Sequence, residues 1–456
     1  MFEDWTDSSF EETRALMNSA DAALPADHES YGSTTYRWYV LAIILLTYAC
    51  HALDRGIPNI ISELVKLEFA LSDAQLGLFT GTFFGVAFAL SGVPLGFISD
   101  RVNRRNMLGL VLLAWSSCTA LGGLAPNYLV LLASRLGVGA AEAGAAPIAI
   151  PMLSDIFEPG RRAFILGIFY MSVPFGTFLA SYGGGWVAEG FGWRAALLLA
   201  GAPGLLLALL LFTTVKEPRR GAADEESVAT AEAESPTARE TARFLLAQPG
   251  LLLLVLCCAL CGFVAISTGA WMTSFFIRVH GLDLKDVGLV LGLANLLGVG
   301  GPPFFGWLAD RAAERSPKGP LYLVSIAVTL GLSLGLVSMF TTSLAMSIGT
   351  FYAFSFLTHS YPPPLYAVLM AKTPAHMRGT VMSLLQLTTN LLGFGIGASW
   401  VGFVSDSLGG GLAIRQALAV AMTVLLAVGI LLLVAGRLLY GAGPQRNDAG
   451  MARERE

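Results

Sequence analysis

Twelve apolar stretches, each close to the length that crosses a hydrocarbon layer, divide this chain almost from end to end. They are 36–63, 73–100, 104–124, 128–156, 162–187, 194–215, 250–278, 285–310, 320–340, 343–370, 378–405 and 413–440. Lipid offers no hydrogen-bond partner to a peptide group, so runs of this length and composition can only span as helices. The composition agrees: 55% of the 456 residues are hydrophobic and 13% charged, against about 25% charged in soluble domains. The formal charge of −4 carries little information, and no basic stripe with interleaved aromatics marks a nucleic-acid partner.

The second feature is a repeat. Gly96-Phe-Ile-Ser-Asp100-Arg101-Val-Asn-Arg104-Arg105 follows one apolar run, and Gly306-Trp-Leu-Ala-Asp310-Arg311 follows another about 210 residues later. Pro94 and Pro303 precede the two copies at nearly the same offset, and Ser72 to Leu78 matches Leu284 to Leu289. A duplicated half with loop charges in corresponding places marks a transporter built from parallel repeats, with its substrate site between the halves. The predicted fold class is thus an all-α membrane protein, twelve transmembrane helices in two pseudo-symmetric six-helix bundles.

The expected organisation is an N-terminal tail (1–35), a first bundle (36–215), a linker (216–248), a second bundle (249–440) and a C-terminal tail (441–456). The linker is too charged and too poor in large apolar groups to build a core, with room for one short surface helix over 236–246. The first 30 residues are acidic and lack the basic start and apolar core of a signal peptide. With the N-terminus inside, roughly 21 of the 28 basic residues fall on the cytoplasmic side and about 6 on the other. Both termini are therefore predicted in the cytoplasm and the chain in the plasma (inner) membrane.

The turn Gly-x-x-x-Asp-Arg-x-x-Arg-Arg between helices two and three is the most specific motif of the major facilitator superfamily, which the chain resembles over nearly its whole length. The resemblance implies a major facilitator fold and an inter-domain lock, formed by Gly96, Asp100, Arg101, Arg104, Arg105, Asp155, Arg162, Asp310 and Arg311, that holds the outward-facing state. The alternative is that these charges are simple positive-inside anchors.

Four charged residues lie within apolar runs: Asp54 and Arg55 in the first helix, Arg135 and Glu142 in the fourth. Charges at membrane depth are costly unless they face one another or a wet cavity, which makes them functional candidates. Arg135 and Glu142 are seven residues apart, hence two turns apart on one helix face. A buried carboxylate without a permanent partner can change protonation as the cavity opens to each side, so Glu142 and then Asp54 are the candidate proton carriers. A permanent ion network of Asp54, Arg55 and Glu142, or an interfacial position for Asp54, are the alternatives. Arg55, Arg135 and Tyr48 are candidate substrate contacts, and Trp271, Phe275, Asn295 and His359 are candidates for an apolar opposite wall. A charged wall facing an apolar one suits an amphiphile.

Leu53-Asp54-Arg55, the string Ser134-Arg135 to Glu142-Ala143 and Gly192-Trp193-Arg194 resemble the Spinster branch and its bacterial relatives. That resemblance implies transport of a single-tail amphiphilic lipid, a sphingoid base or lysophospholipid, linked to protons. The chain departs from the branch at His51-Ala52-Leu53, where Asn-Tyr often precedes Asp-Arg. A carrier of drugs or small organic anions and a non-transporting receptor are the rival readings. The expected partners are the substrate, protons and the bilayer, with the chain a monomer. No cofactor or metal is expected: the five cysteines all lie in apolar runs, and no nucleophile motif, phosphate loop or metal spacing points to an enzyme.

Overall fold

The computed structural model describes residues 31–99, 101–219 and 238–440, which are helical throughout apart from short turns and contain no strand. Ten stretches among them are long and apolar enough to cross a membrane. Two local breaks account for the difference from twelve. The 51-residue stretch Phe164–Thr214 holds two spans that turn at Gly192, whose φ of 84° favours glycine. The tenth span is cut into Leu344–Thr358 and Pro362–Lys372, because Pro362, Pro363 and Pro364 bring no amide hydrogen to the carbonyls one turn earlier.

The twelve spans are α1 (Thr34–Ile60), α2 (73–99), α3 (Arg104–Gly123), α4 (Tyr128–Ile156), α5 (162–191) and α6 (193–214) in the first bundle. The second holds α7 (Pro249–His280), α8 (Leu284–Arg315), α9 (Gly319–Phe340), α10 (344–372), α11 (Ala375–Ser407) and α12 (Gly411–Tyr440). Packing repeats between the bundles: α3 on α6, α1 on α5 and α2 on α4 in the first correspond to α9 on α12, α7 on α11 and α8 on α10 in the second. The first helix runs unbroken through Asp54 and Arg55. In the segment joining the bundles, the described residues include a short helix, Ala238–Leu246.

The start of α1 and the end of α6 share one face, where the Tyr31 and Tyr36 hydroxyls donate to the carbonyls of Lys216 (2.7 Å) and Thr214 (2.8 Å). This is the terminal face; the other is the distal face. The halves meet along α2 with α11 and α5 with α8, and only in their distal parts is the approach close. A Cβ on Gly77 would lie 2.5 Å from the Ala398 carbonyl oxygen, and one on Gly185 would lie 2.8 Å from that of Leu284. Nearer the terminal face, Gly92 and Gly96 of α2, Gly167 of α5, Gly298 of α8 and Gly379 of α11 have open space around them. The cleft between the bundles is therefore sealed distally and opens towards the terminal face.

A polar clamp shapes the distal edge of the first bundle. The Trp193 indole N–H and Arg194 both donate to Glu68 Oε2 at 2.6 Å, and Arg194 reaches the Ala125 carbonyl at 3.2 Å. The Arg194 hydrogen bond holds the Glu68 carboxyl below the usual carboxylate range. A depressed folded-state value adds stability that is present above the unfolded value, about 4.3, and is lost as pH falls through the folded one. Glu68→Gln is expected to lower the thermal midpoint of the solubilised protein at pH 7, with the difference from wild type narrowing below about pH 4.

Candidate functional site

Five ionisable side chains converge between α1 and α4. Arg55 Nε donates to Glu142 Oε2 at 3.0 Å, and His51 Nδ1 lies 3.1 Å from the same oxygen. Asp54, one residue before Arg55 and so about 100° around the helix, is fully buried and faces Glu142, Arg135 and Thr119. Arg135 is buried beside the same two carboxylates. Tyr48 stacks on His51, ring centres 4.8 Å apart, and its hydroxyl neighbours Arg55 and Glu142.

The polar groups here are unequally satisfied. Glu142, expected to lack a permanent partner, accepts from Arg55 through Oε2, with His51 Nδ1 3.1 Å from that oxygen but without a hydrogen bond of its own, while its Oε1 is enclosed without one. Both oxygens of Asp54, and Nε and Nη1 of Arg135, are enclosed without one. The network weighed from sequence is thus reduced to the Glu142–Arg55 pair with His51 beside it, and Asp54 stands outside it. Asp54 is enclosed by protein on all sides. Buried polar atoms left in this way are costly, which marks this cluster as a functional candidate.

Aromatic rings enclose the cations. The Arg55 guanidinium lies 5.1, 4.6 and 5.6 Å from the ring centres of Phe84, Phe88 and Phe394, and Arg135 lies 5.3 Å from Phe84. Phe84 and Phe88 come from α2, and Phe394 from α11 of the other half. Sequence reasoning missed these three rings and His51; a phenylalanine in an apolar run carries no signal of its own.

The expected apolar wall is placed differently. Trp271 and Phe275 are buried in the second bundle, Trp271 donating its indole N–H to the Ala398 carbonyl at 2.8 Å and Phe275 packing on Phe276 and His280. Both rings are covered in this state, within an apolar cluster that includes residues of both bundles. Asn295 is exposed and bonds back to the Leu291 carbonyl at 2.9 Å; His359 is exposed at the break in α10, with Nδ1 2.9 Å from the Ser355 carbonyl.

A second charged group, unnoticed in the sequence, joins the halves at the distal face. Arg278 of α7 donates twice to Glu63 (3.0 and 2.7 Å) and twice to Asp73 (2.9 Å each). Asp73 also accepts from Lys66 and from Ser405 (2.6 Å). Asp406 of α11 caps the start of α2, accepting the N–H groups of Asp73 (2.9 Å) and Ala74 (2.8 Å).

Of the residues assigned to the lock, Arg104 pairs with Asp155 at 2.7 Å, Arg105 donates to the Phe212 carbonyl and Arg162 to that of Ser154. These bonds stay within the first bundle. Glu217 caps α3 by accepting the N–H groups of Arg104 and Arg105. Arg101, Asp310 and Arg311 are exposed, Arg311 lying over Trp307 at 4.0 Å, and Gly96 faces open space. Asp100 lies outside the described residues.

The arrangement, two bundles with a buried charged cluster in the first, one face open and the other latched, fits an alternating-access carrier. A relative in Mycolicibacterium smegmatis, described as an MFS-type efflux pump, is 29% identical over 428 residues, covering 93% of this chain and 96% of its own. Protein spinster homolog 1 of Bos taurus is 26% identical over 397 residues, covering 81% of this chain and 73% of its own. Among solved structures, a bacterial homolog of the human lysosomal transporter Spinster, in an inward-facing and unoccupied conformation, superposes with a TM-score of 0.76 at 27% identity, covering 89% of this chain and 97% of that one. The sequence profile of the Major Facilitator Superfamily matches residues 44–398, more than half of the chain, and this protein belongs to that family of transporters.

Proposed function

We propose that this transporter moves a single-tail amphiphilic lipid, a sphingoid base or lysophospholipid, in exchange for or together with protons. The observation that carries the reading is the charged cluster itself: Asp54, Glu142 and Arg135 keep unpaired polar atoms, while the neighbouring Arg55 faces Phe84, Phe88 and Phe394 and Arg135 faces Phe84. A charged head group would meet the polar atoms and a tail would follow apolar helix surface into the cleft. The likeness to Spinster proteins supports the same class. The excess of basic residues assigns the terminal face to the cytoplasm, so that the state described here is inward-open. On that assignment the Asp100 and Asp310 turns lock the cytoplasmic face in the opposite state.

Arg135 supports a second reading, a proton-coupled carrier of drugs or small organic anions, because its free guanidinium donors fit a carboxylate. A hexuronate transporter of Bacillus subtilis is also among the relatives, at 25% identity. Competition in proteoliposomes separates the two. Lysophospholipids and sphingoid bases are expected to compete, with affinity falling about threefold to fourfold for each methylene removed from the tail. Competition by short organic acids with no dependence on tail length would replace the first reading by the second.

A further inference from the structure

The charged pocket belongs to the first half, yet one side chain of the second half touches it. Phe394 lies in a π-helical segment, Leu391–Gly397, where α11 departs from α-helical hydrogen bonding, and such bulges recur at functional positions. Its ring packs into the apolar core of the first bundle, edge-on to Phe84 with centres 5.4 Å apart, and stands 5.6 Å from the Arg55 guanidinium. Its backbone is pressed into the distal seam: a Cβ on Gly85 would lie 2.5 Å from the Phe394 Cβ, and one on Gly81 would lie 2.9 Å from its carbonyl oxygen. A few residues further along α11, Ser399 bonds Thr82, and Ser405 and Asp406 hold the start of α2.

One residue thus contacts both the charge pair and the gate. We propose that Phe394 is a positioning residue that couples the Arg55–Glu142 pair to closure of the α2–α11 seam. Glu142 holds Arg55 by its Nε, which aims the guanidinium at the three rings; the Phe394 ring can receive that cation only when the seam is closed. A guanidinium over an aromatic face away from water is attracted to it. Any event that withdraws Glu142 from Arg55 therefore weakens the closed seam through this ring. The inference rests on the contacts between the halves and is independent of which substrate or ion is carried.

The test is a double-mutant cycle read by distance. Spin labels at Leu67 and Leu408, exposed on the distal edges of the two halves, report opening in a full-length protein whose native cysteines are replaced by alanine. Glu142→Gln is expected to reduce the ratio of distally closed to open molecules about fivefold to tenfold when Phe394 is present. In Phe394→Leu the same substitution should change the ratio by less than about twofold, whereas Phe394→Tyr, which keeps the ring, should preserve the full response. Phe394→Met supplies a second ring-free side chain should the leucine variant fail to fold. A Glu142→Gln response of equal size in ring-free and wild-type backgrounds, or no response in wild type, would overturn the proposal.

Discussion

Asp54→Asn is expected to abolish pH-gradient-driven transport in proteoliposomes, bringing it to the level seen without a gradient, while counterflow of labelled substrate continues. A coupling free energy of ordinary size corresponds to a loss of about fivefold to 150-fold in gradient-driven accumulation. Glu142→Gln is expected to lose the same coupling and, in addition, to weaken counterflow, since it removes the acceptor that holds Arg55 and His51. The distinction follows from the hydrogen bonds. Arg55 satisfies one Glu142 oxygen, with His51 beside it, whereas both Asp54 oxygens are enclosed with nothing donated to them. A proton, a substrate donor or a displaced Arg135 can fill those acceptors; asparagine removes the option of a proton while keeping the shape. Accumulation that still tracks the pH gradient in both variants would place the proton carrier elsewhere than Asp54 and Glu142.

The second large effect is expected at the distal latch. Arg278→Gln removes four hydrogen bonds that tie α7 to Glu63 and Asp73 of the other half and leaves two carboxylates close together with only Lys66 nearby. Breaking one member of a largely buried charge network costs about 3–5 kcal/mol, and some of that is recovered when the opened face admits water. Even about 2 kcal/mol changes the closed-to-open ratio roughly thirtyfold. Distance distributions between spin labels at Leu67 and Leu408 should shift from a single short population to one dominated by longer separations. Asp73→Asn should follow closely, because Asp73 gathers Arg278, Lys66 and Ser405, and Glu63→Gln should be milder, because Glu63 meets Arg278 alone among the donors seen here. An unchanged distribution in Arg278→Gln would mean that the glycine-lined helix seams close the face without the latch.

The two effects are connected by geometry. The rings that enclose Arg55 and the latch residues Asp73, Ser405 and Asp406 lie along the same pair of helices, α2 and α11, and closing one seam brings Phe394 to Arg55 and Asp406 to the start of α2 together. A carrier needs such a connection, because a ligand shifts a two-state equilibrium only by the difference between its interactions in the two states.

Much was legible in the linear chain, for a definite reason. Lipid forces each span to satisfy its own backbone, so apolar length alone marks the helices, and the repeated Gly-x-x-x-Asp-Arg turn exposes the duplication. Asp54, Arg55, Arg135 and Glu142 stood out because charge inside an apolar run needs an explanation. The partnerships were not legible. His51 read as a departure from a motif, yet it shares the Glu142 oxygen with Arg55. Trp271 and Phe275 read as cavity walls because aromatic residues in a helix do not announce which side faces a neighbour, and apolar packing covers them in this state. Arg278 looked like an ordinary cation at a helix end, since its partners Asp73 and Glu63 are 205 and 215 residues away. Local composition determined which segments enter the membrane and which charges must matter there; only the tertiary structure decided which charges meet and which face is closed, because those depend on how two bundles, separately encoded, lie against each other.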